Sequence, residues 1–425
     1  MSLAILLVGF TVLFLLGMPV AFAMIIAAWA YVLYSGFDLS FLSLQLFAGL
    51  DFFVLLAIPL FILASEVMAR TSVAQRIFDF AQAMVGGIHG GLGHVNTVTS
   101  VVFSGMSGSA VADVGGIGRL SYRAMVNQGY PAPYSAAVTV SSAVIGPIIP
   151  PSIPMIVFSM VSGASIAKLF FAGAIPGLMI AVAIFGYVYV TSRRRGYPMD
   201  QRANFAQLVA ALIAGFLPLM TPVILLASIY LGVVTITEAA AVAVLYALAL
   251  GIFVYRALGL KDFVDCMRSV FVTCGPILIL LPAAKVFGFA LTAEGVSQHF
   301  AVWVTSISES PIFILVAINV LFLLLGCISD PNVNIMLFVP IVMPLANMIG
   351  IDPIQFGMIV VLNCMIGLAT PPVGGLLFAI CGMEKIRLEE VFKAMWPFLG
   401  LLIGVLVLVS AFPALSLWLP SVLFD

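Results

Sequence analysis

The chain has 425 residues, of which 64% are hydrophobic and 8% charged, and its mean hydropathy is +1.27. A water-soluble domain draws about a quarter of its residues from Asp, Glu, Lys and Arg, so a soluble globule is excluded, and the long apolar runs exclude the alternating strands of a membrane barrel. A formal net charge of −1 and a pI near 6.3 provide no basic face for nucleic acid.

In chain order, apolar stretches run Leu3 to Leu33, Phe52 to Met68, Val95 to Gly118, Tyr134 to Met160, Leu169 to Thr191, Phe205 to Leu231, Ala239 to Tyr255, Val270 to Leu291, Ile312 to Met343, Phe356 to Cys381 and Ala394 to Leu419. Runs of about 17 to 30 residues cross a bilayer as helix, which predicts an all-α polytopic membrane protein. The first stretch reads either as one long tilted helix or as two short ones broken at Gly17-Met18-Pro19, which leaves the side of the N-terminus open. No Lys or Arg precedes it and the first basic residue is Arg70, so it reads as a retained helix and not as a cleavable signal. Gln75 to Met84 mixes charged and apolar residues at helical spacing and reads as an interfacial helix, with Lys261 to Arg268 as its counterpart. The five cysteines and the 20 methionines show no spacing for zinc, redox work or a soft-metal path, so no transition metal is expected. His89, His94 and His299 read as residues of polar joints. Lys168 reads as a helix-end residue, whereas Lys285, inside a span, either attracts an anion or snorkels.

The basic residues form five clusters: Arg70 and Arg76; Arg119 and Arg123; Arg193, Arg194, Arg195 and Arg202; Arg256, Lys261 and Arg268; Lys385, Arg387 and Lys393. If Val95–Gly118 and Ile312–Met343 dip in and return on the same side, all five fall on one face, with fourteen of the sixteen Lys and Arg. If both stretches cross, the clusters split between faces. The positive-inside bias favours two re-entrant hairpins with the basic loops cytoplasmic.

Sliding the chain against itself by 221 residues superposes Gly105 on Gly326, Gly129 on Gly350, Gly146 on Gly367 and Pro150-Pro151 on Pro371-Pro372. Five spans separate the two hairpins on this count, so the repeats are inverted, and paired interruptions in inverted repeats point to a secondary transporter's binding site. The interruptions are Ser104 to Ser109 and Gly326 to Asn332 in the hairpins, then Gly146 to Ser152 and Gly367 to Gly374 in the spans that follow. Gly and Pro there free carbonyls and amides that lipid cannot satisfy, so the four breaks are expected to converge on a site lined by protein. Hydroxyl, amide, carboxylate and carbonyl oxygens suit a small alkali cation such as Na⁺, and half-helix N-termini suit an anion. Asp113 and Asp330, deep in apolar hairpins, read as functional because intramembrane carboxylates are costly.

Phe103 to Asp113, Gly146 to Ser152, Gly367 to Gly374 and the opening Gly17 to Phe22 together resemble the large membrane subunit of a tripartite ATP-independent periplasmic (TRAP) transporter, over essentially the whole chain. There is wider similarity to the ion transporter superfamily. The resemblance implies a sodium-driven, elevator-type importer in the bacterial inner membrane. Its two partners would be a small four-helix membrane subunit and a soluble periplasmic binding protein that delivers an organic acid. It divides the chain into N-terminal scaffold and interfacial helices (1–92), first hairpin and broken helix (93–160), scaffold helices with a cytoplasmic joint and interfacial helix (161–311), second hairpin and broken helix (312–382) and a C-terminal helix (383–425). Carried over, the Na⁺ positions fall at Ser104, Gly105, Ser107, Gly108, Gly146, Pro147, Pro150 and Ser152, and at Gly326, Ser329, Asp330, Gly367, Thr370 and Pro371; substrate contacts fall at Ser107, Ser109, Asp113 and Asp330. Gly115-Gly116 replaces the run of alanines that many relatives carry, which leaves the shape of the first return arm open.

A sugar acid such as sialic acid is favoured slightly over a C4-dicarboxylate, since few basic groups are available near the tips to neutralise a dianion. The alternative is an intramembrane serine protease, because Gly105-Met106-Ser107-Gly108 matches the Gly-x-Ser-Gly of rhomboid proteases. With all three histidines in joints, Ser107 lacks a base.

Overall fold

The computed structural model describes residues 1–200 and 202–424; Gln201 and Asp425, which the division above places in the 161–311 and 383–425 segments, lie outside the described residues. Lipid offers no partner to a backbone N–H or C=O, and the apolar runs accordingly close their hydrogen bonds within helices. The first run is two helices, α1 (Ser2–Leu15) and α2 (Val20–Ser35), broken where Gly17 takes φ +85° and Pro19 caps α2. They fold back on each other, with Gly9 against Ala27. Then come α3 (Leu39–Leu50), a 3₁₀ turn leading into α4 (Ala57–Arg70), and α5 (Val73–Val85). The first hairpin comprises α6 (Gly91–Ser107), the short α7 (Ala110–Asp113), a π turn over Val114–Gly118 and α8 (Arg119–Asn127). The broken span after it is α9 (Ala132–Ala143) and α10 (Ile153–Ser162).

The middle of the chain is α11 (Ile166–Ala172), α12 (Ala174–Arg195), α13 (Phe205–Tyr230), α14 (Ile236–Ala249), α15 (Leu260–Ala293) and α16 (Val296–Ile307). The second hairpin is α17 (Pro311–Ile328) and α18 (Pro331–Met348), followed by the broken span α19 (Pro353–Leu368) and α20 (Gly375–Glu384). The chain ends in α21 (Leu388–Ala411) and α22 (Ala414–Phe424).

Side-chain contacts tie all five basic clusters to one end of the bundle. Arg70 lies 3.7 Å from Asp265, and the Arg76 guanidinium sits 4.5 Å over the Tyr255 ring. Gln82 on α5 and Gln128 after α8 donate to the two oxygens of Asp200, while Tyr130 donates to the Pro198 carbonyl at 2.8 Å. Burial pushes the Tyr130 hydroxyl above the ordinary tyrosine range. Arg119 and Arg123 converge on Glu384 at 2.6 and 3.1 Å, which joins the first hairpin to the end of the second broken span. At the opposite end Ser2 donates to Glu294 at 2.7 Å, and Phe37 packs edge-on against Phe289. The N-terminus therefore stands at this end, beside Glu294, which is the acidic end of the bundle. Hairpin one has its base at the basic end and hairpin two at the acidic end, where Ser297 of α16 reaches the Pro340 carbonyl of α18. The repeats are inverted.

Two expectations about helix bounds fail. Lys261 to Arg268 is no separate interfacial helix but the opening of the 34-residue α15. Its start is capped by Asp262, which accepts from Gly259 N at 3.0 Å, and no Gly or Pro intervenes before Gly275-Pro276, so extending the helix costs less than nucleating a second one. The C-terminal segment is two helices and not one: Pro413 supplies no donor, and α22 turns away to set Phe424 against Phe171 at 5.4 Å. The predicted amphipathic α5 does form, and it buries Val73, Ile77, Phe78 and Ala81 between α13 and α6.

Candidate functional site

The four interruptions form two cradles. In the first, Gly108 ends α6 at φ +60°, and a Cβ there would stand 2.6 Å from the Pro151 carbonyl oxygen; its own carbonyl accepts from Ile153 N at 3.5 Å. Ser109 turns the hairpin in extended backbone and caps α7, accepting from Ala112 N at 3.4 Å. Ser152 donates to the Pro147 carbonyl and accepts from Met155 N, so the break between α9 and α10 is closed by its own serine. Gly146 lies against the Ser109–Ala110 backbone, and Ser104 donates to the Val101 carbonyl at 2.6 Å. Gly105 instead faces Pro222 of α13, 2.5 Å from where a Cβ would sit, so its missing side chain serves close helix packing.

The second cradle is tighter. A Cβ on Gly367 would lie 2.4 Å from the Gly326 carbonyl carbon, and Val373 N donates to the Cys327 carbonyl at 3.3 Å. Ser329 donates to Asn334 Oδ1, Asp330 caps α18 by accepting from Asn332 N at 2.8 Å, and Thr370 donates to the Ile366 carbonyl at 2.6 Å. Pro150-Pro151 and Pro371-Pro372 are both cis.

The tips meet although their bases lie at opposite ends, so neither hairpin spans the bundle. A cavity of about 340 Å³ is lined by Gly108, Ser109 and Pro147 from the first repeat, Asp330 and Asn332 from the second, and Thr273 of α15. A neighbouring cavity of about 350 Å³, lined by Ser107, Ser109, Gly116, Thr273 and Glu66 of α4, continues towards the basic end. Ser107, Ser109 and Asp330 are thus brought to connected space. Asp113 is not: it is fully enclosed and lines neither cavity, with the Ser100 hydroxyl beside it. The reason is helical phase: Val111, Ala112, Gly115 and Gly116 share the side of this arm that faces the cavities, and Asp113 falls on the other side.

The donor set suits a small hard cation. It consists of hydroxyl, carbonyl and carboxylate oxygens, and no cluster of three His, Cys, Asp or Glu stands among the described residues. Ser107 Oγ near the first cradle and Asn363 Oδ1 near the second are enclosed and unpartnered. An orphaned buried oxygen costs about 1–3 kcal/mol, which a bound cation would offset. Sequence reasoning missed Thr273 and Asn363, and named Asn332 only as the end of an interruption. Thr273 had a visible signal, a lone hydroxyl three residues before Pro276 in an apolar run.

His94 is not in a joint. Gly90 at φ +84° starts α6 before it, and the ring is fully buried, 4.2 Å from Phe185, with Nε2 3.1 Å from the His89 carbonyl. His299 likewise belongs to α16. Thirteen residues separate His94 from Ser107 on α6, about 20 Å, so these two form no Ser–His pair.

Residues 7–415 match the family model described as the tripartite ATP-independent periplasmic transporter, DctM component. The chain belongs to the DctM family. It is 39% identical over 414 residues to the sialic acid TRAP transporter large permease protein SiaM of Vibrio cholerae, covering 97% of both chains. It is 35% identical to the C4-dicarboxylate TRAP transporter large permease protein DctM of Rhodobacter capsulatus, again over 97% of each. In fold it is similar to the YdaH transporter of Alcanivorax borkumensis, with a TM-score of 0.62, 15% identity and 90% of each chain covered. This DctM-family chain is therefore a multi-pass membrane transport protein and not an enzyme, and the protease reading of Ser107 is set aside.

Proposed function

We propose that the chain is the large membrane subunit of a sodium-coupled importer of an organic acid in the bacterial inner membrane, with its basic end cytoplasmic. It would work with a small four-helix membrane subunit and a periplasmic binding protein; the family's name supports a three-part system with a periplasmic component. The observation that carries this reading is the meeting of two oppositely inserted hairpin tips, Ser109 and Asp330, at one cavity walled by α15. Na⁺ bound in the two cradles would be coordinated by the freed carbonyl and hydroxyl oxygens. Ser107, Ser152, Ser329 and Thr370 orient those cradles, and a tip ordered in this way presents Ser109, Asp330 and Asn332 to the acid. Ordering the tips before the acid binds couples the two ligands. In an elevator cycle the hairpins and broken spans would slide as a unit along α15, α4 and α13.

A sugar acid such as sialic acid is favoured over a dicarboxylate. The tip cavity offers hydroxyl, amide and carboxylate groups and, among its lining residues, no basic side chain to neutralise a dianion. Reconstitution of the chain with its cognate small subunit and binding protein tests the coupling. Uptake should fall to background when the inward Na⁺ gradient is collapsed, and undiminished uptake overturns the reading.

A further inference from the structure

Three cavities line up along α15. Counted from its basic end, Thr273 borders the cavity beside Ser107, Thr273 to Leu280 border the tip cavity, and Leu281 to Thr292 border a third of about 340 Å³. The third shares no lining residue with the others. One wall is α3 and α15, locked together where a Cβ on Gly49 would stand 2.5 Å from Pro282 Cα. The facing wall is apolar and belongs to the hairpin unit: Met160 and Val161 of α10, Met336 and Pro340 of α18. Lys285 lines this space, exposed, with Nζ 5.3 Å over the Phe52 ring, and no carboxylate among the described residues pairs with it. A charge placed eight residues inside a span, about 12 Å from the helix end, is costly, and the aromatic face only partly compensates it.

We infer that Lys285 is the anion-binding group of the transporter's other state. Resting on the elevator reading above, a slide of the hairpin unit by about 12 Å, eight residues of helix rise, carries the tips from the Thr273–Leu280 wall to Lys285. There the ammonium pairs with the carboxylate of the arriving acid. In the state described here the same acid has the Thr273 hydroxyl on its α15 wall, and the adjoining cavity carries Glu66, so the cation is lost and a carboxylate stands on the way out towards the basic end. An ion pair made in one state and absent in the other gives the differential affinity that a change of state requires.

The test uses the full complex in vesicles, with uptake of sialic acid and of succinate delivered by loaded binding protein. Lys285→Gln should raise the apparent KM at least about tenfold with maximal rate changed less than about threefold, the size of a lost charge-assisted bond, and Lys285→Arg should restore most of it. An unchanged KM in Lys285→Gln overturns the inference. A defect seen in phosphatidylglycerol vesicles but absent in phosphatidylcholine also overturns it, since the lysine would then serve a net anionic lipid headgroup. In a background whose five native cysteines are replaced by alanine, Val111→Cys at the tips is paired with Thr273→Cys or Lys285→Cys. Cross-linking at both positions supports the slide. Cross-linking at 273 alone under every gradient removes the slide and the inference with it, whereas cross-linking at 285 with an unchanged KM in Lys285→Gln leaves the slide standing and removes only the anion assignment.

Discussion

Hairpin one and hairpin two share a register 221 residues apart but have been built for different surroundings. The outward helix of the first, α6, is buried on nearly every side in its last turns, from Phe103 to Ser107. Its counterpart α17 leaves Val316, Val320, Leu324 and Ile328 exposed along one stripe, a face for lipid. The return arm of the first is broken by the π turn at Gly115-Gly116, whereas α18 runs 18 residues without a break despite Pro340 and Pro344. At the tips a neutral serine, Ser109, occupies the place that Asp330 takes in the second repeat. The cradles differ too: in the second Gly367 packs directly on the Gly326 backbone, whereas of their counterparts in the first Gly105 faces Pro222 of α13 and Gly146 meets the Ser109 backbone only at 3.5 Å. Duplication kept the backbone plan, and only the second tip carries a formal charge at its cap.

The largest effect expected from this contrast is at the second cradle. Gly367→Ala must force two backbones apart and should cost about 1–3 kcal/mol, with uptake reduced at least tenfold, while Gly146→Ala, whose nearest neighbour stands at 3.1 Å, should keep most uptake. Equal losses in Na⁺-driven uptake would break the asymmetry. Next, Asp330→Asn should cap α18 almost as well, leaving thermal stability unchanged, yet weaken apparent Na⁺ affinity roughly ten- to hundredfold, because bonds to charged groups are worth about 1.5–3 kcal/mol. Ser109→Ala, which removes a neutral cap and no cradle oxygen, should shift that affinity by no more than about threefold. Sodium titrations of uptake compare the two, and similar shifts would show that charge at the cap is immaterial.

In the first return arm, Gly118→Ala would push into the Asp113 carbonyl at 2.8 Å and Thr139 Cγ2 at 2.9 Å and should lower the melting temperature in detergent. Gly115→Ala meets open space and should raise stability by about 0.4–1 kcal/mol through the unfolded chain. The smallest change is expected for Glu384→Gln, which loosens Arg119 and Arg123. Both arginines are partly solvated, so melting should fall by no more than the equivalent of about 1 kcal/mol.

Much of the site was legible because its signals are local. A glycine that must take a positive φ or a close backbone contact, and a proline that withholds a donor, mark Gly108, Gly146, Pro150, Gly326, Gly367 and Pro371 whatever they pack against. Asp113 and Asp330 looked alike as isolated carboxylates in apolar runs, yet one is sealed within its hairpin and the other borders the cavity. Thr273 and Lys285 stand out in apolar runs, but only the elements opposite them show which cavity each one borders.

The sequence by itself determined the membrane class, the inverted repeat, the four interruptions and the end to which the basic clusters gather, since each follows from hydropathy, backbone satisfaction or a count of crossings. Only the tertiary structure decided which way each helix faces, that α15 runs unbroken through Lys261–Arg268, that the C-terminal run splits at Pro413, and that His94 is interior. The physical reason is that lipid and protein interior are equally apolar. A helix surrounded by both carries no polar stripe to betray its buried face, so orientation is set by packing against partners that a linear reading does not contain.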